Sequence, residues 1–163
     1  GLINQLLRLW FHFNGPNWLT DSHFVIPAIA IVSIWQGLGF NTVLFLAGLQ
    51  NIPAVYSEAA RIDGANRFQL FWRVTLPLLS PTVFMATILS VIGSFQVFDL
   101  TYVLTDGGPG KDSYTIVYLL YKQGFQLFQF GNASASAVVL FIILLVLTLF
   151  QYRLQNRWVH YEA

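Results

Sequence analysis

The sequence predicts an all-α integral membrane protein with about three transmembrane helices. Three observations carry this prediction. Of 163 residues, 56% are hydrophobic and only 9% are charged, giving a mean hydropathy of +0.61; an average soluble domain is about 25% charged. No Asp, Glu, Lys or Arg lies between Asp21 and Glu58, between Arg73 and Asp99, or between Lys122 and Arg153. Each gap can hold the ~20 apolar residues that cross a ~30 Å hydrocarbon core. Finally, residues 133–152 read ASASAVVLFIILLVLTLFQY, apolar on every helical face. The same figures exclude other classes. So much apolar surface cannot stay solvated in a disordered chain. A net charge of +1 is too weak for a nucleic-acid footprint. With no cysteine, disulfide scaffolds, thiolate metal sites and cysteine nucleophiles are all absent.

Residues 1–23 lack the basic start, apolar core and small-residue cleavage site of a signal peptide. The chain begins with Gly, so a fragment or processed product is expected. A first span is expected at about 24–50. Its centre, WQGLGFNT, is weakly hydrophobic. Polar residues and glycines at mid-depth suit a helix packed on protein or lining a cavity. They equally suit a loosely packed helix that tolerates Gly37 and Gly39.

The loop 53–77 is long and not simply polar. Pro53 suits a first helical turn, and Glu58, Ala59, Ala60 and Arg61 propagate it. Asp63-Gly64 signals a turn. A second short helix runs through Phe68, Leu70, Phe71 and Trp72, with Phe68, Phe71 and Trp72 spaced to share one apolar face. Leu76-Pro77 is expected to stop it before the next span. Two short helices in an L result, and the apolar face of the second seeks either lipid or a protein partner. The middle span is expected at about 78–102, with Pro81 tolerated in its first turns. Thr105 to Gly110 reads TDGGPG, a strong turn cluster. Residues 113–130 are rich in aromatics and read as an interfacial helix or re-entrant piece. Such a segment either anchors the chain at the interface or helps form a translocation path. The third span is the run at 133–152.

Three crossings put loop 51–77 and tail 151–163 on one side, with Arg61, Arg67, Arg73, Arg153 and Arg157. The other side has Arg8, Lys111 and Lys122. Positive charge prefers the cytoplasm, so the loop and the C-terminus are placed inside and segments 1–23 and 103–130 outside.

Glu58-Ala59-Ala60, then Asp63-Gly64-Ala65, then Leu76-Pro77 resembles the EAA loop of the permease subunits of binding-protein-dependent ABC importers. Gly1-Leu2-Ile3-Asn4, Trp18-Leu19-Thr20-Asp21, Phe98-Asp99 and the stretch Leu104 to Gly110 look like its carbohydrate-uptake branch, which carries maltose, glycerol phosphate and other sugars. Family members have further spans upstream. The resemblance therefore implies a partial ABC importer permease core, a single domain over 1–163 that is the C-terminal part of a permease in a bacterial-type cytoplasmic (inner) membrane.

The resemblance further implies that the loop is a coupling helix docked in a cleft of a cytoplasmic ATP-binding subunit. Glu58 would offer a carboxylate to that partner, Ala59 and Ala60 would keep the helix thin, and Gly64 would allow a backbone geometry or an approach that a Cβ blocks. Without a partner, Glu58 would simply pair with Arg61. A second, related permease subunit, an extracytoplasmic sugar-binding protein and membrane lipid complete the implied partners. ATP and magnesium are expected in the ATPase, and neither cofactor, metal nor catalytic residue in this chain. No P-loop is present: Gly110-Lys111 is followed by Asp112, and position 105 is Thr. For a solute path, polar or aromatic residues at membrane depth are the candidates: Asn41, Gln96, Asp99 and Tyr102. Asp99 equally suits a water-exposed helix end, and Gln96 a bond to a neighbouring helix.

The competing readings are a self-contained channel or structural membrane protein and a non-functional truncated permease. A membrane enzyme finds no support: His12, His23 and His160 are scattered, and no HExxH or Gly-x-Ser-x-Gly occurs. Asn132-Ala133-Ser134 matches a glycosylation sequon, but small residues at the head of a span better serve close helix packing.

Overall fold

The computed structural model describes residues 1–155. Arg157 and His160, used above for orientation and for the histidine survey, lie outside the described residues, as does the end of the expected cytoplasmic tail. Among the described residues all regular structure is helical. In chain order these are α1 (Leu2–Phe11), α2 (Val25–Gln50), α3 (Ala54–Ile62) and α4 (Arg67–Leu78, π-helical over Phe71–Thr75). They are followed by α5 (Ser80–Phe95), α6 (Asp99–Leu104), α7 (Ile116–Tyr121, running on as π-helical Lys122–Gln126) and α8 (Phe130–Gln155).

Two of these helices are long and apolar enough to cross a membrane, α2 and α8, each of 26 residues and each holding an 18-residue stretch whose mean hydropathy is 1.7 in α2 and 2.7 in α8. At 1.5 Å per residue each spans about 39 Å, more than the hydrocarbon core requires. They lie where the first and third spans were expected, α8 extending three residues further at either end.

The middle span differs from expectation. Residues 78–102 do not form one helix. α5 has 16 residues, about 24 Å, and is too short to cross unaided. It meets α4 at a bend of 64°, and the bent pair counts as one further crossing if taken together. Leu76-Pro77 does not stop the preceding helix, which continues through Leu78 and breaks at Leu79. The prolines explain the position. Pro81 has no N–H for the carbonyl of Pro77, and its ring crowds that carbonyl. Pro77 likewise leaves Arg73 without a ladder partner, and a π-helical stretch precedes it. Proline and π-bulges are the usual causes of sharp kinks. At its other end α5 stops at Phe95, directly after Gly93-Ser94, where Ser94 Oγ donates to the Val91 carbonyl at 2.8 Å. A Gly/Ser pair weakens the ladder in the same way. The chain restarts as α6 at Asp99.

α1 was not anticipated, because residues 1–23 were weighed only as a leader. It closes on His12 in the left-handed region (φ 52°), whose N–H bonds to the Arg8 carbonyl at 3.2 Å.

The described residues form two compact units, Gly1–Gln36 with Phe95–Leu140, and Gly37–Ser94 with residues 141–155. In the first, Val25, Thr101, Ser113 and Tyr118 are fully buried. In the second, Leu79, Ser80, Phe84 and Ala86 are buried. A Cβ on Gly48 would run into Thr82 and Leu79, so α2 and α5 approach closely there. Gly37 and Gly39 make no such approach: only Asn41 of the same helix comes within 4 Å of Gly37, and nothing does at Gly39.

Candidate functional site

α3 is nine residues long, too short to persist on propensity alone. Its ends are therefore informative. Pro53 is the N-cap, its φ of −60° set by its ring, and Ser57 Oγ bonds back to the Ala54 carbonyl at 2.8 Å. At the C-terminus the Gly64 N–H bonds to Arg61 O at 3.1 Å and the Ala65 N–H to Ala60 O at 2.9 Å. With Gly64 at φ +79°, this is a Schellman cap. Asn66 begins α4 at once through a capping box: its side chain accepts from Gln69 N at 2.9 Å, and Gln69 Oε1 accepts from Asn66 N at 3.0 Å. The corner 63–66 is thus held by backbone and side-chain bonds throughout. Nothing lies within 4 Å of a Cβ built on Gly64. The glycine is required for its left-handed backbone, not by crowding within the chain, and the space beside it is open.

The faces of α3 differ. Ser57 and Ala60 are half-buried, whereas Val55, Glu58, Ala59 and Ile62 share the other face and are exposed. Ile62 is 86% exposed. Burying such a side chain stabilises by about 1.5–3 kcal/mol, so covering this face would be favourable. Among the described residues Glu58 makes no ion pair with Arg61; the pair present is His23–Asp21 at 3.5 Å. Glu58, Ala59, Ala60, Asp63, Gly64 and Ala65 are therefore one contiguous helix and cap. Leu76 and Pro77 stand apart from it, half-buried inside α4. The expected aromatic face of α4 exists: Trp72 lies 6.0 Å from Phe68 and 5.5 Å from Phe71 between ring centroids, and all three are exposed.

The four path candidates fall in different units of the chain. Asn41 belongs to the second unit. There it lines an open groove of about 550 Å³ with Phe45, Thr87, Ser90 and Ser94. Asn41 Nδ2 donates to the Gly37 carbonyl at 3.0 Å, and Thr87 Oγ1 to Val83 O at 2.8 Å. Their donors satisfy their own helices, and their oxygens keep acceptor capacity. Thr87, Ser90 and Ser94 were missed, although their spacing of three and four residues marks one face of α5 in the sequence. Gln96, Asp99 and Tyr102 belong to the first unit. Gln96 lies exposed in the break before α6. Asp99 is exposed as the first residue of α6, where a carboxylate suits the helix dipole. Tyr102 stacks on Phe98 at 5.5 Å and meets Tyr121 edge-on at 5.5 Å.

The TDGGPG turn is more than a surface loop. Tyr118 Oη donates to Asp106, 2.7 Å from its carbonyl and 2.9 Å from Oδ1. Ser113 Oγ donates to Gly108 O at 2.7 Å and shares a 2.8 Å hydrogen bond with Thr105. A Cβ at Gly107, φ +83°, would collide with the rings of Tyr114 and Tyr118. Burial, then the hydrogen bond to Asp106, pushes the Tyr118 phenol up to about 12. Ser113 and Tyr118 were not singled out in the sequence, since a hub of this kind depends on which side chains fold back over the turn.

Helices long and apolar enough to cross a membrane, with a groove of mixed polar and apolar lining between α2 and α5, fit an integral membrane component. The chain belongs to the family of binding-protein-dependent transport system inner membrane components, whose family model matches residues 3–161. It is 37% identical over 165 residues to the sn-glycerol-3-phosphate transport system permease protein UgpA of Brucella abortus, covering 99% of this chain and 55% of that protein. It is 40% identical over 157 residues to the arabinooligosaccharides transport system permease protein AraP of Bacillus subtilis, covering 95% of this chain and 50% of that one. In three dimensions it is similar to a chain of a bacterial ABC transporter involved in the import of the acidic polysaccharide alginate. The TM-score is 0.83 at 26% identity, over 96% of this chain and 55% of that chain. The chain thus spans about half the length of these relatives.

Proposed function

We propose that this chain forms part of the solute path of an ATP-driven, binding-protein-dependent carbohydrate importer, and that α3 with its Gly64 cap couples that path to a separate cytoplasmic ATPase. One observation carries the coupling role: a nine-residue helix, started by Pro53 and closed by the Gly64 cap, leaves Val55, Glu58, Ala59 and Ile62 exposed on one face. A short helix presenting such a face suits a groove on a partner. Glu58 is free to meet a basic group there, and the small Ala59 lets the helix lie close.

Closure of the ATPases on ATP and magnesium, which they bind, would draw α3 with them. The bonded corner 63–66 would pass that movement to α4, and α4 to α5 across the bend at Leu79. Access to the path would then alternate between the two sides. The groove beside Asn41 offers amide and hydroxyl oxygens and the ring of Phe45, groups that suit sugar hydroxyls and a sugar face. Relatives named for glycerol phosphate and arabinooligosaccharide, and the alginate transporter, favour a carbohydrate-type solute. The alginate transporter is also known in complex with an alginate pentasaccharide-bound periplasmic protein, which favours delivery by such a protein here. A second, related permease subunit would complete the path. Arg61, Arg67 and Arg73 favour a cytoplasmic α3–α4 segment, and the C-terminus shares that side.

The test is co-purification in detergent of the full-length reading frame with its ATPase, comparing wild type with Glu58→Ala and Gly64→Glu. Wild type is expected to capture the ATPase and both variants to lose it while remaining membrane-inserted. Failure of wild type to capture it, or equal capture by the variants, overturns the coupling role and favours a self-contained channel or structural protein.

A further inference from the structure

The coupling and transport readings leave one surface of the first unit unused, the outer arc of α1. At 100° per residue, Asn4, Gln5 and Arg8 fall within one arc of α1, and the rest of its circumference is apolar. Leu2, Ile3, Leu6, Leu9, Trp10 and Phe11 are all exposed, Trp10 by 77%. The polar arc is the one that holds the helix to the protein. Asn4 Nδ2 donates to the carbonyls of Gly15 and Pro16 at 3.2 and 2.9 Å, and Trp18 Nε1 donates to Asn4 Oδ1 at 2.6 Å. Trp18 in turn meets Phe24 edge-on, 6.0 Å between centroids. Phe24 directly precedes Val25, the first residue of α2. A chain of contacts therefore ties the polar side of α1 to the mouth of a membrane-length helix and leaves its apolar side outward.

Charge points the same way. Residues 1–20 contain no Asp or Glu, and the one charged side chain on α1 is Arg8. A wide apolar arc with Trp and Phe, a narrow polar arc and charge of one sign compose a helix that lies in a bilayer interface, its cation at the level of lipid phosphates.

We propose that α1 is an interfacial anchor: its apolar arc lies in the boundary of the bilayer that α2 crosses, with Arg8 facing lipid phosphate. The occupant of this surface is the lipid surface itself, and not a second subunit or the binding protein. The proposal rests on the membrane setting alone. It stands or falls independently of the ATPase-capture experiment.

Site-directed spin labelling tests it in the full-length permease, assembled with its partner subunits in nanodiscs of phosphatidylethanolamine and phosphatidylglycerol. This segment has no cysteine, so single labels can be placed by Leu6→Cys, Trp10→Cys and Gln5→Cys once any cysteine elsewhere is replaced. Labels at 6 and 10 are expected to collide several-fold more with lipid-soluble oxygen than with a water-soluble nickel chelate. The label at 5 should show the reverse. Low collision with both reagents at 6 and 10 would mean a protein covers the arc, and high nickel access there would mean it stands in water. Either result overturns the proposal. Two apolar positions are used so that local misfolding at one does not decide the outcome.

Discussion

Tyr118 shows how much one side chain can organise. It is fully buried, and its hydroxyl holds Asp106 by both carbonyl and carboxylate. Its phenol is raised to about 12, above the ordinary tyrosine value of about 10. A raised pKa means that folding favours the protonated form. The stabilisation is therefore complete below pH ~10 and is lost as pH rises from there through about 12. Alkaline titration followed by phenolate absorbance should show a late component near that upper value, absent in Tyr118→Phe. A titration in which the variant keeps that component would contradict the assignment. Gly64 is the counterpart at the α3–α4 corner: a left-handed residue that closes one helix while the next begins two residues on at Asn66.

At the scale of the element, close approach and breakage matter more than hydrophobicity. α2 has three glycines, of which the sequence analysis singled out Gly37 and Gly39 and passed over Gly48. Only at Gly48 would an added Cβ meet neighbouring side chains at close range, those of Leu79 and Thr82. Gly48→Val should therefore loosen the α2–α5 contact, with an overpacking cost of about 1–3 kcal/mol, whereas Gly39→Val should not. Thermal unfolding of the two variants in the same detergent distinguishes them, and equal midpoints would refute the close approach. The bend at Leu79 has a legible cause in Pro77 and Pro81. It was misplaced in the sequence because proline was read as a stop at its own position, whereas its missing N–H acts on the turn before it.

On the scale of the whole molecule, most of the surface of α2 and α8 is unburied, as befits spans that meet lipid or further protein. Under the proposed function, the groove in the second unit is the place of solute contact. Asn41→Leu and Thr87→Val should raise the KM for transport several-fold while leaving ATPase capture intact, as measured by uptake in proteoliposomes. Loss of capture would show that these residues hold the fold, and unchanged KM that the solute passes elsewhere.

Composition and charge-free runs were enough to reveal an all-α membrane protein and its two long apolar helices, because desolvation of a bilayer-crossing helix constrains every residue along it. Local capping chemistry was equally legible: Pro53, Asp63-Gly64 and Asn66 each act through bonds to neighbours in the chain. The burial of Ser113 and Tyr118 under the TDGGPG turn, the close approach of α5 to Gly48, and the meeting of Asn41 with Thr87, Ser90 and Ser94 along one groove were decided by tertiary structure. Each depends on which groups distant in sequence meet in space, and neither hydropathy nor helix propensity specifies that meeting.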